Sequence, residues 1–79
     1  MTATDQDIEQ RIIEIWRDVL GDDDVTADDD FFDLGGSSIA AIRILPKLSE
    51  AFGVDAEVGL VFDNPTPGEL AAAVAALAR

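Results

Sequence analysis

The 79 residues include no cysteine, no histidine and no tyrosine, and only 5 carry a positive charge. Without cysteine there is neither a disulfide nor an intrinsic thiolate, and without histidine the commonest zinc ligands are gone as well. A Ser-His-Asp hydrolase is excluded, because no imidazole base exists. The 17 acidic residues leave a net charge of -12. Such a surface repels nucleic acid and anionic membranes, and it draws in partners with basic faces. The amino terminus, Met1-Thr2-Ala3-Thr4-Asp5, is too polar for a signal peptide, and no apolar run is long enough to span a bilayer. The expectation is a cytoplasmic, monomeric protein that binds no metal, nucleic acid or membrane. At this length only about 60–65% of the unfolded surface can be buried. One small core fits, with little room for an enclosed cleft.

What is present reads as helix. Ile8, Ile12, Ile15, Trp16 and Val19 recur at spacings of three and four, which predicts an amphipathic helix over 5–20 closed by Gly21. A second helix is expected over 38–52, ending at Gly53, and a short one over 57–62 that Gly59 weakens. The last, over 66–78, opens with Thr66 as cap, Pro67 in the first position and Glu69 completing a capping box. No strand alternation and no repeat is found. The fold class is all-α, a single domain over 1–79 built as a bundle of three main helices and one short one.

Between the first two helices lies a long acidic loop, residues 22–33, in which six of the first nine positions are aspartate. A calcium loop is the sharper alternative, but Ala27 stands where the turn glycine belongs and no glutamate closes the loop. Phe31, Phe32 and Leu34 are expected to fold the end of this loop onto the core.

The second helix has two apolar faces. Ala41, Ile44, Leu45, Leu48 and Phe52 form the core stripe, while Ile39, Ile42 and Pro46 lie roughly opposite, beside Arg43 and Glu50. Such a second strip either docks a partner or packs on another element of the same chain, and the short chain favours docking. Pro46 is expected to kink or interrupt the helix without dividing it in two. Just ahead of this helix stands Leu34-Gly35-Gly36-Ser37-Ser38-Ile39. Ser37 has the side chain to cap the helix, which leaves Ser38 in the first turn with its hydroxyl outward, where a phosphate ester is well tolerated.

The run Asp33-Leu34-Gly35-Gly36-Ser37-Ser38-Ile39 resembles the attachment motif of peptidyl carrier (thiolation) domains of nonribosomal peptide synthesis. Trp16 in the first helix, Asp30-Phe31-Phe32 before the motif and Phe52-Gly53-Val54 after it extend the resemblance. So do Phe62, Pro65-Thr66 and Leu70-Ala71, and the likeness runs from about Ile8 to Leu77. It implies that Ser38 receives 4′-phosphopantetheine from coenzyme A through a phosphopantetheinyl transferase, and that the arm carries an aminoacyl, aryl or peptidyl thioester. It also implies partner contacts through Ile39 and Ile42, through Phe62 or Val61, and through Arg43 at the edge. The partners would be the transferase and adenylation, condensation, thioesterase or tailoring enzymes. Met1 and the lack of a Pro- or Ser-rich linker favour a discrete protein. An acyl carrier for polyketide or fatty acid synthesis is the nearer alternative, and a non-carrier acidic interaction module the further one. The sequence departs from the family pattern at Ser37, Pro46 and Gly59.

Overall fold

A computed structural model describes residues 5–78 of the chain. It contains four helices: α1 (Asp5–Leu20), α2 (Ser38–Phe52), α3 (Val58–Asp63) and α4 (Pro67–Ala78). The described residues contain no strand. Helix α1 packs against both α4 and α2, and α3 bridges α2 and α4.

The core forms where the apolar stripes meet. Ile12, Trp16, Phe31, Ile44, Leu48, Val61, Leu70 and Val74 are completely buried, and among the described residues no polar or charged residue is buried with them. For α1, α2 and α4 that arrangement follows from the periodicity, since Ile12 and Trp16, Ile44 and Leu48, and Leu70 and Val74 are each four residues apart, while Phe31 comes from the loop and Val61 from α3. Several helix ends are closed by specific devices. In α2, Ser37 caps the start and Gly53, at φ 66°, closes the end with its N–H on the Ser49 carbonyl. In α3 there is no side-chain cap at Glu57, but Asn64 donates from both its backbone N–H (3.1 Å) and Nδ2 (2.9 Å) to the Leu60 carbonyl. At α4, Thr66 Oγ1 accepts the Glu69 N–H at 3.2 Å and donates its hydroxyl to the Glu69 carboxylate at 2.9 Å. The expected pairing of Thr66 and Glu69 forms, with the carboxylate on the hydroxyl.

As expected, Pro46 does not divide α2 in two: the helix runs from Ser38 to Phe52 with Pro46 on its exposed side. There the missing N–H leaves the Ile42 carbonyl beside solvent. The acidic loop is more than a solvated tether. Asp22 Oδ1 accepts the Asp24 N–H (2.9 Å), Asp29 Oδ2 the Thr26 N–H (2.9 Å), and Asp30 Oδ1 the N–H groups of Phe32 (2.8 Å) and Asp33 (3.3 Å). Aspartate recurs here partly because its short carboxylate satisfies backbone donors two or three residues away.

Candidate functional site

The loop that leads into α2 is fixed at both ends of its second half. The Phe31 N–H donates to the Pro65 carbonyl at 2.7 Å, and further back the Gly68 N–H donates to the Ala27 carbonyl at 3.1 Å. These bonds hold the loop against the start of α4. The chain then turns tightly, with Leu34 N–H on Asp30, Gly35 N–H on Phe32 and Gly36 N–H on Phe31 carbonyls at 3.0–3.1 Å.

The two glycines are required for different reasons. Gly35 has φ +87°, a conformation that side-chain-bearing residues rarely adopt. Gly36 has no positive φ, but a Cβ there would lie 2.6 Å from the Phe31 carbonyl oxygen and against the Phe31 ring. One glycine supplies the turn and the other supplies the close approach.

After that corner, the two serines separate in role. Ser37 is the N-cap of α2, in extended conformation, and its Oγ accepts the Ala40 N–H at 3.3 Å. Ser38 is the first helical residue and is exposed. The amides of Ser38 and Ile39 belong to the first turn and have no intrahelical acceptor, so they favour negative charge beside this hydroxyl.

Around Ser38 the surface is apolar. Ile39 is 67% exposed and Ile42 56% exposed, with Arg43 exposed next to them. The second strip of α2 therefore does not pack on the rest of the described chain. On α3 the two candidates separate: Phe62 is 41% exposed, whereas Val61 is fully buried. Val61 is therefore corrected to a core residue, because successive helical residues point about 100° apart and α3 turns this one inward.

Phe32, expected in the core, is instead 42% exposed and stacks on Phe62 with centroids 5.6 Å apart and planes at 17°. Phe31 alone goes inward, edge-on to Trp16 at 5.0 Å, and Leu34 is half-buried. The apolar surface thus gains a residue that periodicity could not assign, since a loop has no fixed repeat. Among the described residues no group of three or more Asp or Glu side chains is placed to hold a metal ion. None of the described helices is long and apolar enough to cross a membrane.

The family model described as "Phosphopantetheine attachment site" matches residues 10–74. The chain is 44% identical over 69 residues to tyrocidine synthase 3 of Brevibacillus parabrevis, covering 87% of this chain but 1% of the synthase. Among solved structures it resembles BlmI, a type-II acyl-carrier-protein from Streptomyces verticillus involved in bleomycin biosynthesis. That match has a TM-score of 0.87 and 30% identity, covering 91% of this chain and 87% of the other. It also resembles a chain in the complex of the phosphopantetheine transferase Sfp with coenzyme A and a peptidyl carrier protein, with a TM-score of 0.84, 29% identity and coverage of 96% and 95%. The family match runs across most of the length of the chain, and these solved structures share its helical fold. The chain belongs to the phosphopantetheine attachment-site family, as a carrier domain of the nonribosomal peptidyl carrier type.

Proposed function

We propose that Ser38 is the attachment residue and that the domain, without catalysing a step itself, holds acyl groups and delivers them to partner enzymes. One observation carries this reading. Of two adjacent serines, Ser37 is engaged as the helix cap, while Ser38 stands exposed at the first helical position. The site suits a covalent phosphate, since Ser38 is an exposed residue and the helix amino terminus favours negative charge. When attached, 4′-phosphopantetheine supplies the thiol that this cysteine-free chain lacks and that holds an aminoacyl, aryl or peptidyl group as a thioester.

In the attachment step Ser38 Oγ attacks the phosphorus on the pantetheine side of the coenzyme A diphosphate. A serine O–P bond forms, the diphosphate bridge breaks, and adenosine bisphosphate leaves. The serine proton passes to the transferase, since this chain has no histidine to take it. Ser37 holds the helix end rigid during this exchange, and Gly35 and Gly36 shape the corner that presents the hydroxyl.

The exposed strip of Ile39, Ile42 and Phe62, with Arg43 at its edge, is the surface on which the transferase and the adenylation, condensation, thioesterase or tailoring enzymes dock. The chain spans only 1% to 6% of synthetases such as tyrocidine synthase 3 and phosphinothricin tripeptide synthetase PhsB. The pathway around it is therefore part of this proposal. The test is incubation with coenzyme A and a promiscuous transferase, then with an amino acid-activating enzyme or an acyl-transferring one. We expect one pantetheinyl adduct, aminoacylated by the first enzyme and absent in Ser38→Ala. Loading by the acyl-transferring enzyme alone would point to an acyl carrier, and an adduct surviving in Ser38→Ala would refute the site.

A further inference from the structure

We infer that Phe31 is a positioning residue for the modification of Ser38: its buried ring and both its backbone groups set the corner from which the serine is presented. The inference rests on Ser38 being the attachment residue. Phe31 has no exposed surface. Its N–H is bound to the Pro65 carbonyl at 2.7 Å, and its own carbonyl accepts the Gly36 N–H at 3.0 Å. Its ring lies so close to the Gly36 Cα that a Cβ at Gly36 would collide with it. On the other side the ring meets Trp16 of α1 edge-on at 5.0 Å and 71°.

Trp16 is itself fully buried and its indole N–H has no hydrogen-bond partner, so packing alone holds the pair together. A continuous path of contact thus runs from α1 through Trp16 and Phe31 to Gly36, two residues before Ser38. A residue serving only to fill the core would need the ring but not the two backbone bonds that bracket the corner. Here one residue ties the corner to α1 by its ring, to the segment before α4 by its N–H, and to Gly36 by its carbonyl. Placement of the nucleophile is steeply coupled to rate, and the ring reaches the docking surface only indirectly, edge-on to Phe32 at 5.5 Å, which in turn stacks on Phe62.

The test compares the transferase kinetics of four proteins: the wild type, Phe31→Leu, Gly36→Ala, and the control Val74→Ala. Val74→Ala opens a cavity in the buried face of α4. All are assayed below their unfolding temperatures, with helical circular dichroism verifying the fold. We expect kcat to fall about tenfold or more in Phe31→Leu and Gly36→Ala, with KM changed by no more than about threefold. Val74→Ala should lower the melting temperature and leave both constants near wild type. If Phe31→Leu does not fold, Gly36→Ala decides by the same criterion. Kinetics equal to those of Val74→Ala, or a rise in KM with kcat unchanged, would overturn the assignment of Phe31. A wild-type protein that is never modified would instead overturn the reading of Ser38 beneath it.

Discussion

Neighbouring residues of the same or similar type do different work here, and the difference comes from where the backbone places them. Ser37 spends its hydroxyl on the Ala40 amide, and Ser38 does not share that bond. Ser37→Ala should therefore destabilise the protein by about 1 kcal/mol, read as a lower denaturant midpoint, while Ser38 is still modified to completion. Failure of modification in that variant would mean the two serines had been assigned in the wrong order. The capping role of Ser37 was legible from sequence, because its side chain suits the N-cap position and the structure places it there. The reason for Gly36 was not, since close approach to the Phe31 ring is a tertiary fact and only the φ of Gly35 resembles ordinary turn chemistry. Val61 and Phe62 illustrate the same limit. Both are apolar, and the rotation of a six-residue helix about its axis is set by packing rather than by its own composition.

Among the elements, α2 carries the serine proposed for attachment and tolerates a proline in its interior. Pro46 lies on the exposed side, so its ring displaces no core side chain, yet the bond to the Ile42 carbonyl is lost. Pro46→Ala restores that donor and should stabilise the domain by about 1–3 kcal/mol. Thermal unfolding checks this, and an unchanged or lower midpoint would contradict it. The exposed strip makes a different kind of prediction. Ile42→Glu changes no buried contact, because Ile42 is 56% exposed. It should raise the transferase KM severalfold while leaving the melting temperature nearly unchanged. The helix boundaries were readable to within a residue, helped at four of the ends by a local signal: Gly21, Ser37, Gly53 and Thr66. The loop before α2 was misjudged at Phe32, whose stacking on Phe62 depends on where α3 lies and leaves no trace in local sequence.

On the scale of the whole molecule, charge is the dominant feature. The domain is 33 Å in its longest dimension and carries a net charge of -12. The ion pairs Arg11–Glu14 (3.0 Å) and Lys47–Asp18 (3.2 Å) are both on the surface and offset little of this repulsion. At about 0.01 M salt the screening length, ~30 Å, spans the molecule, and at about 0.1 M it shrinks to ~10 Å. The melting temperature should therefore rise as sodium chloride is added across this range, and a flat response would show that the aspartate loop does not strain the fold. The acidity was readable at once in the composition. Its local structural use was not, because the Asx-type bonds of Asp22, Asp29 and Asp30 become visible only with the backbone in place. The most direct measurement is localisation of the adduct by tandem mass spectrometry after reaction with coenzyme A and a pantetheinyl transferase. Fragment ions should assign the phosphopantetheine to Ser38 with Ser37 unmodified, and an adduct on Ser37, or none on either serine, would contradict the account.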